Sequence, residues 1–304
     1  CLLWPPLRCD DMSRDGQAIF FLVAVLMGLG TVMLFSVAGP PEGPVHPLFA
    51  RHLLYVALGT LCAFLVYRAD PQLLIRYGHL ALYGVCFLCV LVFVPGVGLR
   101  VRGAARWVAL GPIRLQPSEL AKMALILYAA RLSSDPPQTL KVLVKALLPV
   151  ALLVVLVFGE PDLGTAAFLA FCGGLFVWFA GARLRHLALL GAISAALMGP
   201  VALLKFEHVR QRLSVFLDHE EDPLGRGYQL RQSLIAIGSG GPLGKGLGAS
   251  EQKLFFLPDR NTDFIYAILA EETGLLGSVG VVALFVGWLV FGLRIARRLD
   301  DVPR

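Results

Sequence analysis

Between Arg210 and Gly277 lies the longest interval of this 304-residue chain in which charge, glycine and proline occur together, and apolar runs flank it. A loop of that length in a greasy chain generally carries function. Near its end, Leu257-Pro258 precedes Asn261-Thr262-Asp263-Phe264-Ile265, which puts one carboxylate where polar loop gives way to an apolar helix. Asp263 has two roles open to it. It can cap the first free amides of that helix, or it can act as a base at the membrane surface, and one side chain can do both.

Cations that could hold an anion beside such a carboxylate are plentiful. Arg100, Arg102, Arg106 and Arg114 crowd residues 96–116, and Arg210, Arg212, Arg226, Arg231, Lys245, Lys253 and Arg260 punctuate the long loop. Arginine presents a planar fork matched to phosphate oxygens. The alternative is that these cations pair with Asp218, Glu220, Glu221, Asp222 and Asp259. Trp107, next to Arg106, is either an interfacial aromatic anchor or the wall of a sugar-binding pocket. Glu119 and Lys122 are spaced to share one helical face, where they neutralise each other as a structural pair. Asp162 is placed to cap a helix, its neighbour Glu160 reads as a solvated turn residue, and Glu271 is unusual at lipid depth, so it is expected to face a cavity or a partner. Leu230, Leu234 and Ile237 place an apolar stripe on a segment lying along the outer interface. The glycines from Gly238 to Gly248 do not follow phosphate-loop order and read as a flexible or tightly turning loop.

The elements that must position these residues are membrane spans. The chain is 57% hydrophobic and 16% charged with a mean hydropathy of +0.73, against about 25% charge in soluble domains. Its apolar runs have the length needed to cross ~30 Å of hydrocarbon and do not alternate as barrel strands would. The fold class is therefore all-α, a polytopic bundle with spans at about 17–38, 51–67, 79–95, 117–131, 142–158, 163–180, 186–206 and 264–293. Residues 1–16 form an N-terminal segment set aside from the fold, as a processed start or a fragment boundary. Residues 17–293 form one transmembrane domain containing a long outer loop, 207–262, and 294–304 form a basic tail. Short loops bearing Arg68, Arg76, Arg131, Lys141, Lys145, Arg183 and Arg185, together with that tail, define a cytoplasmic face, which places both termini inside. The net charge of +6 suits anionic membrane lipids and lipid-linked phosphates and does not point to nucleic acid. Cys62, Cys86, Cys89 and Cys172 lie in apolar runs as small hydrophobes.

Three co-ordered segments resemble one family. The loop RQRLSVFLDHEEDPLGRGYQLRQSLIAIGSGGPLGKGLGASEQKLFFLPDRNTDFIYAILAEETGLLG, the segment GAARWVALGPIRLQPSELAKMAL and the motif EPDLGTA are similar to those of the SEDS proteins (shape, elongation, division and sporulation), the group of FtsW, RodA and SpoVE. GASEQKLFFLP is closer to the division-type members. The resemblance implies a bacterial cytoplasmic-membrane glycosyltransferase that polymerises lipid II into glycan strands on the outer face, together with a class B penicillin-binding protein (a transpeptidase) and other division or elongation membrane proteins. It makes Asp263 the catalytic carboxylate and Trp107, Glu119 and Lys122 residues of activity or of the cavity. Asn261 stands where the family usually has His, and the family's ten spans exceed the eight expected here, as in a C-terminally truncated chain.

The chemistry fits the residue types. Inverting glycoside hydrolysis needs an acid and a base because its leaving group is an alcohol, whereas a diphosphate departs as a stabilised anion. One base, Asp263, and a cationic cradle of Arg106 with Arg102 or Arg210 can then suffice, with a divalent cation, Mg2+ or Mn2+, as an additional expectation. A lipid II flippase and a non-catalytic division scaffold are the competing expectations.

Overall fold

The computed structural model describes residues 9–38, 46–101, 104–110, 113–132, 139–205, 226–255 and 261–300. Two compact units divide the chain, Cys1–Phe64 with Ser214–Arg304, and Leu65–Leu213. Helices occupy each of the eight expected spans. Five of them are long and apolar enough to cross a membrane, and two more are shorter apolar helices.

The first unit contains α1 (Cys9–Ala38), most of α2 (Pro47–Arg68), α9 (Arg226–Ser239), the short α10 (Gln252–Phe255) and α11 (Ile265–Asp300). Helices α1 and α11 pack together along their length. Two polar ties show that they run antiparallel. Ser36 near the end of α1 donates to Glu272 near the start of α11, and Asp15 near the start of α1 meets Arg298 near the end of α11 at 2.9 Å, close but not aligned for a hydrogen bond. Asp15 and Ser36 are separated by about 30 Å of helix at ~1.5 Å per residue, one hydrocarbon thickness. Around the Ser36–Glu272 tie, Met33, Val37, Ala236, Ala267, Ile268, Leu269 and Val281 form the core.

The second unit holds α3 (Pro71–Arg76), α4 (Gly78–Val92), strands β1 (Gly98–Val101), β2 (Ala104–Leu110) and β3 (Ile113–Leu115), and helices α5 (Pro117–Leu132), α6 (Leu140–Gly159), α7 (Leu163–Phe179) and α8 (Leu184–Lys205). Its helix starts follow the sequence. Asp70 caps α3 at the Gln72 amide, 2.9 Å, with Pro71 in the first turn, and Thr139 caps α6 at the Val142 amide, 3.4 Å. Leu82, Cys86, Cys89, Leu125, Leu153, Val157 and Leu169 meet in a core shared by α4 to α7. Gly78 lets α4 close on α5, since a Cβ there would sit 2.6 Å from the Leu127 carbonyl oxygen. The all-α expectation needs one addition. Residues 98–115 form an antiparallel meander, β1-β2-β3, with Trp107 opposite Leu99 and Val108 opposite Leu115.

Candidate functional site

Helix α11 departs from the expected uninterrupted span. At Gly274 the backbone turns to φ 68°, ψ −164°, which breaks the rungs that Leu275 and Leu276 would make to the carbonyls of Glu271 and Glu272. The glycine-rich loop replaces all four partners. The Glu271 and Glu272 carbonyls accept from the amides of Lys245 and Gly246, both at 3.0 Å, while Leu275 and Leu276 donate to the Gly241 and Pro242 carbonyls at 2.9 and 3.3 Å. Buried backbone groups must be paired somewhere, so the loop is an integral part of the helix. The approach requires glycine. A Cβ at Gly244 would lie 2.2 Å from the Glu272 carbonyl oxygen, and one at Gly240 equally close to that of Ala270. Gly241, Gly244, Gly246 and Gly248 all adopt positive φ. Gly238 belongs to α9, and from Gly240 to Gly248 the stretch is a turning loop, docked on α11.

Side chains reinforce the docking. The wholly buried Glu271 accepts at Oε1 from Lys245 Nζ, 2.8 Å, and the Glu251 amide, 3.2 Å, and at Oε2 from Ser250 Oγ and the Gln252 amide. The hydrogen bond to Glu271 holds the half-exposed Lys245 ammonium above its usual range. Glu272, equally buried, accepts from Ser36 Oγ at 2.7 Å and from Lys253 Nζ at 2.8 Å. Lys253 Nζ also donates to Ser36 Oγ and to the Gly248 carbonyl. Each buried carboxylate faces a lysine ammonium and accepts further hydrogen bonds, which meets the conditions for burying ions. The expectation that Glu271 faces a cavity or partner resolves into this loop.

Asp263 sits one turn ahead of the clamped helix, exposed, in the turn spanning 261–264. The amides of Ala267 and Ile268 take the Phe264 carbonyl, and Asp263 caps no amide among the described residues. Its carboxylate is exposed, eight and nine residues ahead of the clamped Glu271 and Glu272.

In the second unit, Arg106 on β2 reaches the turn between α6 and α7. Its Nε donates to the Glu160 carbonyl at 3.1 Å and its Nη2 to the Pro161 carbonyl. Gln116 donates to Ser118 and to Asp162 Oδ2, and Asp162 Oδ1 caps α7 at the Thr165 amide, 3.3 Å. Trp107 is half-buried on β2 beside Arg106, where an irregularity interrupts the β1–β2 register. Glu119 and Lys122 form the expected pair at 2.8 Å, partly exposed. Glu160 corrects the sequence reading. It is wholly buried, with neither carboxylate oxygen hydrogen-bonded among the described residues. Burial, and then the charge of Asp162, push it up to about 7, while the facing Cys89 thiol and Arg106 act in the other direction.

Asp263 therefore lies in the first unit, and Arg106, Trp107, Glu119 and Lys122 lie in the second. Arg102 and Arg210 fall outside the described residues. Sequence reasoning missed Ser36, Ser250, Lys245 and Lys253 as partners of Glu271 and Glu272.

The family model for the cell cycle proteins FtsW, RodA and SpoVE matches residues 17–303. The chain belongs to this family. A probable peptidoglycan glycosyltransferase FtsW of Nitrosococcus halophilus is 42% identical over 97% of the chain and 76% of the relative. Stage V sporulation protein E of Bacillus subtilis is 36% identical over 93% of the chain and 80% of the relative. Among solved structures, a chain of a peptidoglycan synthase complex that coordinates polymerization and crosslinking superposes with a TM-score of 0.67 at 34% identity, covering 90% of this chain and 75% of that one. The rod shape determining protein RodA of Thermus thermophilus superposes with a TM-score of 0.58 at 28% identity, over 90% and 72%. As a member of this family the chain is a multi-pass helical membrane protein.

Proposed function

We propose that the chain is a peptidoglycan glycosyltransferase that polymerises lipid II at the outer face of the bacterial cytoplasmic membrane. The observation that carries this reading is Asp263, an exposed carboxylate at the end of a helix that buried ion pairs hold in place. The relatives named as glycosyltransferases support the same chemistry.

In the proposed step, Asp263 takes the proton of the acceptor sugar's 4-hydroxyl. The hydroxyl oxygen then bonds to the anomeric carbon of the donor, the bond from that carbon to the diphosphate oxygen breaks, and the anomeric centre inverts. The electron pair leaves with the lipid diphosphate, whose charge the cations stabilise. Arg106 spends two of its donors on the turn carbonyls and retains others of its five for a phosphate oxygen. Arg102 and Arg210 are the further proposed contacts, and Trp107 a proposed wall for the sugar. Among the described residues no three His, Cys, Asp or Glu side chains converge on one point. Mg2+ or Mn2+ would draw oxygens from the Asp263 carboxylate, diphosphate and water, and would add positive charge at the leaving group.

The proposed setting includes a class B penicillin-binding protein as partner, in line with the synthase complex above, other division or elongation membrane proteins, surrounding membrane lipids, and both termini in the cytoplasm. The test is conversion of purified lipid II to glycan strands by this chain as sole polymerase. Asp263→Asn is expected to lower product ~10²- to 10⁴-fold. Unchanged polymer from that variant, or lipid II translocation without any polymer, would overturn the reading.

A further inference from the structure

The break at Gly274 sets residues 265–273 apart as a short helix that the helical ladder no longer joins to the rest of α11, leaving the Tyr266 hydroxyl, which donates to the Ser278 carbonyl at 3.3 Å, as a side-chain tie across the break. A lever of this kind, with Asp263 at its free end, needs an external support. Lys253 is the residue that supplies it from three directions at once. Its Nζ donates to Glu272 Oε1 on the lever at 2.8 Å, to Ser36 Oγ on α1 at 2.9 Å and to the Gly248 carbonyl of the docked loop at 2.7 Å. The ammonium is almost wholly withdrawn from solvent and Glu272 completely so. Three contacts from one buried ammonium to three separate segments constrain direction as well as distance. Glu271 makes a second tie through Lys245 and Ser250, which fixes the loop, whereas the Lys253 tie also includes α1.

We propose that Lys253 and Glu272 are positioning residues for Asp263, setting the angle at which the 265–273 helix presents its carboxylate to the acceptor hydroxyl. This rests on the glycosyltransferase reading for its consequence, since an orientation error of about 1 Å is costly only where a reacting atom must be met. The geometry itself does not depend on that reading. The effect belongs to the chemical step, because both side chains are buried and bonded within the fold.

The experiment uses the intact chain and the double variant K253M/E272Q. Removing both charges together avoids stranding one of them, and replacing a whole buried pair is often tolerated. Two quantities are read. The first is polymerisation of lipid II per folded molecule, resolved into kcat and KM. The second is the distance distribution between spin labels at Val32 on α1 and Tyr266 on the lever, in a background with exposed cysteines replaced. The expected result is a kcat at least tenfold lower with KM within about twofold, no further loss when the double change is added to Asp263→Asn, and a broadened or displaced distance distribution. A double variant with unchanged kcat and an unchanged distribution would overturn the proposal. So would a loss of kcat that accompanies no change in the distribution. If the parent chain makes no polymer, the glycosyltransferase reading fails by itself, and the label distances still decide whether Lys253 and Glu272 hold the lever. Should the double variant not fold, Ser36→Ala removes one contact and leaves the ion pair, and a smaller change of the same sign in both readouts is required of it.

Discussion

Lys253 Nζ lies 2.8 Å from Glu272 Oε1, joining two residues of which the first is 8% exposed and the second 1%. An ion pair in such a place owes its tolerance to completeness. Removing one partner deprives the other of the charge it faces in a dry site, which costs about 3–5 kcal/mol. Glu272→Gln alone or Lys253→Met alone should therefore unfold in detergent at markedly lower denaturant than the parent, and the double variant should recover most of the loss. Equal instability of single and double variants would mean that packing, and not charge compensation, dominates.

The docked loop gives a steric prediction. Gly244 has φ +80° and a built Cβ 2.2 Å from the Glu272 carbonyl oxygen, and Gly274 has φ +68° and a Cβ 2.3 Å from the Gly244 amide nitrogen. Alanine at either position meets backbone atoms that cannot yield and a conformation costing about 1–3 kcal/mol by itself. Both variants should lower the melting temperature. Gly238, in α9 with no atom within 4 Å of its Cβ, is the control, and alanine there should be neutral or stabilising by up to about 1 kcal/mol.

The spans were legible because apolar length is a local property. Each of the eight runs became a helix, and the Asp162 cap and the Glu119–Lys122 pair followed from spacing alone. What escaped the sequence depends on partners far away in the chain. Lys253 meets Ser36 across 217 residues and Glu271 meets Lys245 across 26, and no periodicity encodes such pairings. Glu160 was misread for a related reason. A carboxylate in a short polar turn ordinarily meets water, but here the meander through Arg106 and the core around Cys89 close over it. The break in α11 left a trace in Gly274, which an apolar-length rule passes over.

Glu160 makes stability depend on pH with a definite sign. Its carboxyl rises from 4.5 to about 7 on folding, so the folded chain binds the proton more tightly than the unfolded one. Its contribution is most favourable below about 4.5 and is lost as pH rises through 7, a change on the order of 3 kcal/mol. Glu160→Gln cannot ionise and should remove that slope, making the variant the more stable protein at pH 8 and nearly equal to the parent at pH 5. Denaturation midpoints of both proteins across this range check the sign, and parallel curves would show that Glu160 is not titrating there.

Arg106 separates two roles that the sequence left merged. Its guanidinium bridges the carbonyls of Glu160 and Pro161, a two-point contact that lysine, a point charge on a flexible stem, cannot reproduce. Arg106→Lys should therefore lose about 1–3 kcal/mol of stability even without substrate. If Arg106 also grips the departing diphosphate, as proposed, the retained positive charge of lysine should preserve part of the activity per folded molecule, and Arg106→Gln should lose more than lysine does. Asp263→Asn provides the contrast. Asp263 is exposed and makes no cap among the described residues, so its loss should leave the melting temperature within about 1 °C, taking an exposed-site cost of under ~0.5 kcal/mol, while lowering polymer ~10²- to 10⁴-fold. Arg106 variants whose activity falls only in step with their folded fraction would confine Arg106 to holding the meander against the α6–α7 turn.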